Sequence, residues 1–324
     1  MLRYLAKRIL ILIPVVIAIS IILFIVSKTM PGDPVRAFLP PTLKPDQYAI
    51  AYNAMYVRLG LDKSIIEQYF RWIYNIVILG DLGFSSMANR PVVDVVSVPL
   101  RNTIILNIFV NILYVAIALP VGIKMATKRN SLFDNTFNII SLIGWSIPSF
   151  FLGLLLIYAF AVRLPWLPMS GMPNTYMLGS FETVVAWARH LTLPVLTLTI
   201  ISLAGALRYI RNAMIDAISQ DFIRTARSKG LSEKVVIYSH ALRNAMIPIS
   251  TILVMTLFSL FAGASLTESV FAYDGMGRLL LMAVRQRDTM LIMSMNLFFA
   301  VINIVAVLMA DIIYGLVDPR IKLK

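Results

Sequence analysis

Cysteine is absent from the chain, and histidine occurs only twice, as His190 and His240. Without thiols there are no disulfide staples and no thiolate metal sites, and two histidines so far apart in sequence make a poor start for an imidazole centre. Charge is also sparse, at 14% of 324 residues. No Gly-x-x-x-x-Gly-Lys-Ser/Thr stretch occurs, so the chain has no loop of the kind that cradles nucleotide phosphates. No convergent set of acid, base and nucleophile lies within the apolar runs, so neither a metal enzyme nor an embedded hydrolase is indicated. What remains is apolar: 59% hydrophobic residues and a mean hydropathy of +0.82 define an integral membrane protein. The net charge of +13 does not point to nucleic acid, because the bases gather at the ends of apolar runs instead of forming a stripe with interleaved aromatics.

Taken in order, the sequence predicts an all-α protein with six transmembrane helices. They fall at 9–27, 103–123, 138–162, 191–207, 247–266 and 290–317. The first run is too long for a signal-peptide core, which spans about 7 to 15 residues, and is read as a retained helix. Between the spans lie an external domain at 28–102, a loop at 124–137, an external loop at 163–190, a long polar insert at 208–246 and an external loop at 267–289. Tails at 1–8 and 318–324 complete the chain. Of the 29 Lys and Arg, 16 fall on the side that carries both tails, the 124–137 loop and the 208–246 insert. The others lie mostly in the long 28–102 segment, where positive charge has little effect on topology. Both termini and the polar insert are therefore expected in the cytoplasm.

Within the external domain, Ser64 to Val77 reads as an amphipathic helix with Ile65, Tyr69, Trp72 and Ile73 on one stripe, and Gly80-Asp81 as a turn. It serves either as a cap on the membrane ends or as a dock for an external protein. Asn107 and Asn111 stand one helical turn apart in the second span and need partners there, on a neighbouring helix or in a pore. Ser146-Ile147-Pro148-Ser149 interrupts the third span, because Pro148 removes a helix donor. This is either a packing kink or part of a lined path. His190 is read as an ordinary interfacial group. Asp311, near the inner end of the last span, is expected to be paired structurally with a loop arginine, the alternative being a functional intramembrane charge.

The polar insert centres on Asp221 to Pro248, which reads as two short helices and a turn. Asp221 offers a cap, Phe222, Ile223 and Ala226 share a face, and Gly230 ends the first helix. Ser232 then caps a second helix, on which Val235, Tyr238 and Leu242 stand three and four apart. Arg243 suits its C-terminal dipole, and Pro248 opens the next span. By itself the insert is also compatible with an ordinary solvated basic loop.

The run Thr225-Ala226-Arg227-Ser228-Lys229-Gly230, followed by His240-Ala241-Leu242-Arg243-Asn244-Ala245 and Pro248, resembles the coupling loop of permease subunits of ATP-binding-cassette importers. Within that superfamily the chain is most similar to the dipeptide, oligopeptide and nickel branch. The general motif is Glu-Ala-Ala, three variable residues and Gly; here Arg224, Thr225, Ala226 and Gly230 occupy those positions, and the glutamate is missing. Gly80-Asp81-Leu82-Gly83-Phe84-Ser85, Glu268 to Arg278 and Arg285-Gln286-Arg287-Asp288 extend the resemblance along the chain.

The resemblance implies a non-catalytic permease subunit in a prokaryotic plasma membrane. Its implied partners are a second permease of similar fold, two ATPase subunits that use ATP and magnesium, an external solute-binding protein and the lipid bilayer. No cofactor is expected on this chain. The coupling residues would be Arg224, Thr225, Ala226, Arg227, Gly230, Glu233, Lys234, Val235, Tyr238, Leu242 and Arg243. In this scheme Val235, Tyr238 and Leu242 anchor the docked helix, each central anchor being worth on the order of 2 kcal/mol. Asn107, Asn111, Ser146, Pro148 and Ser149 are the path candidates. Peptides are the expected cargo, with oligosaccharides or a nickel chelate as alternatives. A secondary transporter or channel is the rival class, although no internal repeat or row of buried carboxylates supports it.

Overall fold

The computed structural model describes residues 2–317 except 41, 175, 177 and 178, with the side chains of 2–9, 37, 311 and 313–317 also outside the description. Helix α1 runs Leu2–Thr29, followed by α2 Pro45–Arg58 and α3 Ile65–Tyr74, which continues as a π-helix over Asn75–Leu79. A hairpin of β1 Phe84–Ser85 and β2 Arg90–Pro91 leads into α4, Val92–Thr127. Helix α5 is Leu132–Ser146 and α6 is Ser149–Ile157, with a π continuation over Tyr158–Arg163. Then come α7 Ser180–Ile218, α8 Asp221–Ser228 and α9 Glu233–Val235. A π stretch at Val236–Ala241 carries α9 into α10, Leu242–Phe258. Helices α11 Ser265–Val270, α12 Met276–Gln286 and α13 Thr289–Val317 complete the chain.

Among the described residues five helical stretches are long and apolar enough to cross a membrane, and there are six if the bent pair α5–α6 counts as one span. The pair turns through 102°. The cause is local: Pro148 drives its predecessor out of the helical region, and Ile147 is extended at φ −82°, ψ 124°. Pro148 is extended too, and its carbonyl then accepts from Phe151 and Leu152 to start α6. The expected kink is thus a complete break.

Elsewhere the helices overrun the spans read from the sequence. Helix α4 begins at Val92 and absorbs Pro99 and Pro120, while α7 starts at Ser180 and passes through His190 and Pro194. Pro248 lies inside α10, so it does not separate the polar insert from the span that follows. A proline costs a helix one donor, and packed neighbours can satisfy the freed carbonyl. At Pro248 the Tyr209 hydroxyl donates to the proline's own carbonyl at 3.4 Å.

The centre of the molecule is α4 against α7, flanked by α5 and α10. Tyr114, Ala118, Ile210, Met214 and Ile249 are buried between them. Close approach depends on small residues: a Cβ on Gly122 would stand 2.7 Å from Ile210 Cγ2. Helix α1 is peripheral, packing on α13 and leaving Ile21, Ile22 and Ile25 exposed as a lipid-facing helix does. Asp311 lies on α13, but its side chain, and with it the expected pairing to a loop arginine, is outside the described residues.

Candidate coupling segment and translocation cleft

The polar insert is fixed to the membrane core by one face. Ile223 and Ala226 on α8, with Val236 and Ala241 in the π stretch, are buried in the same apolar cluster as Ile123, Ile210, Met214 and Ile249. Helix α8 ends as its sequence requires. Gly230 takes φ +76° and donates to Arg227 O at 2.9 Å, and nothing lies within 4 Å of where its Cβ would be. Arg227 then reaches over the turn to Glu233, with 2.6 and 3.3 Å contacts to the two carboxylate oxygens. This tie joins α8 to α9, although its exposure limits its worth to about 0.5 kcal/mol.

Several details differ from the sequence expectation. Asp221 is the first helical residue, not the cap; Gln220 holds that position, and the Asp221 side chain is exposed beside Arg224 at 3.9 Å. Phe222 leaves the shared face and is 40% exposed. Ser232 has the extended backbone of a cap, but no side-chain hydrogen bond caps the helix. Leu242 is only partly buried and packs on the core cluster, so it belongs mainly to the inner face. The π stretch causes this, because its extra residue per turn rotates the positions after Ala241. The exposed large apolar side chains of the segment are therefore Phe222 on α8 with Leu231, Val235 and Tyr238 after the turn. Around them Arg224, Thr225, Arg227, Lys229, Glu233, Lys234 and Arg243 are exposed. The polarity pattern alone gave no signal for Leu231.

A cleft of about 520 Å³ opens between α4, α7 and α10. Its polar lining is uncharged, contributed by Asn107, Asn111, Ser202, Thr251, Thr256 and Ser259. Asn107 Nδ2 donates to the carbonyls of Ser259, Leu260 and Ala262 at 3.0, 3.2 and 3.0 Å. Asn111 Nδ2 donates to Thr256 O at 3.0 Å. Both amides thus line the cleft and also hold the unwinding end of α10. Ser146, Pro148 and Ser149 are not part of this lining. They form the α5–α6 break, where Ser146 Oγ donates back to Leu142 O at 3.0 Å. The His190 ring bonds the carbonyl of Ala186 in its own helix. Among the described residues no group of three His, Asp or Glu could hold a metal.

Two polar ties at the ends of the spans escaped the sequence. Asp134, fully buried, receives Arg211 Nε at 2.6 Å and Nη2 at 2.7 Å, fastening α5 to α7 beside the coupling segment. At the opposite end Glu268 is buried against α12. Its carboxylate accepts from Arg278 N at 2.8 Å, Ala264 N at 3.2 Å and Thr103 Oγ1 at 3.3 Å. Burial still raises its pKa above the ordinary glutamate value, and it also pushes up the neighbouring Tyr273, whose hydroxyl donates to Asn102 O.

Membrane-crossing helices beside an uncharged polar cleft, with a basic two-helix segment rooted in the same core, define a multi-pass membrane protein. Comparison with known proteins gives the family. Residues 118–323 match the model described as "Binding-protein-dependent transport system inner membrane component", and residues 1–119 match its N-terminal companion. The chain belongs to this family. It is 35% identical to the oligopeptide transport system permease protein AppB of Bacillus subtilis, over 99% of this chain and 100% of that protein. With the dipeptide transport system permease protein DppB of Escherichia coli K12 it shares 34% identity over the full length of both. A chain of the MetNI methionine ABC transporter, solved in inward-facing conformations, superposes with a TM-score of 0.50 at 18% identity. That match covers 68% of this chain and 94% of the other, and it supports the ABC importer permease fold.

Proposed function

We propose that the chain is one of two permease subunits of an ATP-driven peptide importer and forms half of the path for di- or oligopeptides delivered by an external binding protein. The relatives named for peptide transport support the cargo, and the uncharged cleft suits a chain of amides passing without strong retention. Both termini and the coupling segment lie in the cytoplasm, where two ATPase subunits, using ATP and magnesium, dock on the permease pair. This chain hydrolyses nothing.

The observation that carries the proposal is the two-faced coupling segment. Its inner face is built into the core of α4, α7 and α10, while its outer face presents Leu231, Val235 and Tyr238 among basic side chains. Because α9, the π stretch and α10 are continuous, a push on Tyr238 moves α10, and with it one wall of the cleft. Closure of the ATPases would swing this lever, and hydrolysis would reset it.

Purification of the tagged chain from membranes tests this. Recovery of an ATPase and a second permease, with ATP-dependent uptake competed by peptides, is expected; a homogeneous oligomer of this chain alone, without ATPase, would favour a secondary transporter or channel.

A further inference from the structure

The segment formed by α3 and its π continuation has two apolar stripes, and among the described residues only one is packed against protein. Tyr69, Trp72, Ile73 and Ile76 face inward, in a cluster with Phe24 of α1 and Met293 and Leu297 of α13. Tyr69 Oη lies 2.8 Å from Ser20 Oγ, and the Trp72 and Phe24 rings are 6.0 Å apart. The opposite stripe is Ile66, Phe70, Tyr74, Val77 and Ile78, each between 54% and 70% exposed. Ile65 shares the helical face of Tyr69 and Trp72, as its spacing predicts, but in the first turn of α3 it is 64% exposed and takes no part in that cluster.

Depth identifies what covers the outer stripe. Ser20 lies within the membrane-crossing stretch Leu10–Thr29, and nine residues short of its end correspond to about 13 Å of helix. Leu297 lies a similar distance, about 12 Å, inside the outer end of α13. The inner stripe is thus packed against two spans below their ends. On α1, beside this segment, Ile21, Ile22 and Ile25 are exposed as well. Polarity along the segment agrees: Glu67, Gln68 and Arg71 come first, Gln68 accepting from Lys28 Nζ, and only Asn75 is polar between Trp72 and Leu79. We infer that Ile65–Leu79 is seated in the leaflet opposite the coupling segment and presents this stripe to lipid acyl chains, as an interfacial helix does. The segment read from sequence as a wholly external domain is thereby anchored in the bilayer, fixing the height of the hairpin that follows.

Because the chain has no cysteine, single sites can be labelled without background. The full chain carrying Phe70→Cys, Val77→Cys or Ile78→Cys, with Lys63→Cys as the water-exposed control, is spin-labelled in phosphatidylcholine–phosphatidylglycerol nanodiscs. Collision rates with oxygen and with a nickel chelate are read with and without co-purified subunits. Oxygen collisions exceeding nickel collisions at Val77 and Ile78, with the reverse at Lys63, is the expected result. Nickel-dominated collisions at Val77 and Ile78 would put the stripe in water. Low rates with both reagents would show it covered by protein. Either would overturn the inference, and neither bears on whether the chain couples to an ATPase.

Discussion

Ser85 donates a 2.5 Å hydrogen bond to Asp288, a residue 203 positions further along the chain. The same carboxylate accepts from Met87 N at 3.0 Å through Oδ2 and from Leu291 N at 3.1 Å through Oδ1, so it caps α13 and closes the hairpin together. Two of the motifs that resemble the family, Gly80 to Ser85 and Arg285 to Asp288, thus meet at one buried carboxyl group. Asp288→Ala leaves three donors without an acceptor and should lower stability by about 2–4 kcal/mol, against about 1 kcal/mol for Ser85→Ala. Thermal unfolding of the detergent-solubilised variants measures the order, and equal losses would contradict it.

The Asp134–Arg211 pair supports a second prediction. Asp134→Ala leaves a guanidinium uncompensated in a largely buried place and should cost about 3–5 kcal/mol. Arg211→Lys keeps the charge but loses the two-pronged grip, so it should cost part of that amount. Midpoints of chemical unfolding for the two variants decide this, and full stability in Arg211→Lys would show that charge alone matters.

Glu268 predicts a pH dependence. An unfolded glutamate ionises near 4.5, whereas burial holds the folded carboxyl's pKa higher. As pH rises above 4.5 the unfolded chain gives up its proton first, so stability falls until the folded carboxyl ionises too. Relative to Glu268→Gln, the parent's unfolding temperature should therefore decline as pH increases through that window. A difference that stays constant with pH would remove Glu268 as the cause.

Val235 and Leu242 should separate, although the sequence groups them as docking anchors. Leu242→Ala removes packing from the core cluster and should cost about 2 kcal/mol of stability. Val235→Ala, at 40% exposure, should leave unfolding almost unchanged and weaken ATPase docking. Unfolding temperature measured beside ATPase recovery in pull-downs distinguishes the two residues.

These contrasts show which kinds of information the sequence carries. Apolar length alone marked the places of the crossing helices, Pro148 marked the break, and Gly230 marked the end of α8, because each depends on neighbouring residues. Continuity of α7 through His190 and Pro194 was hidden, since local polarity and a proline read as an end while packing against α4 keeps the helix intact. The ties of Asp134 to Arg211 and of Ser85 to Asp288 span 77 and 203 positions and leave no periodic trace. In the coupling segment the composition was legible but the inward and outward faces were not, because the π stretch shifts the helical phase before Leu242.

The most direct test of the account is ATP-driven peptide uptake by proteoliposomes containing the purified complex, comparing the parent with Val235→Asp/Tyr238→Asp. Both substitutions lie on the outer face, so the fold should persist, and losing two docking contacts of about 2 kcal/mol each should reduce coupled uptake by more than tenfold. Uptake at the parent rate in the variant, or peptide accumulation that proceeds without ATP, would contradict the claim that the outer face of α9 and the π stretch receives the driving force.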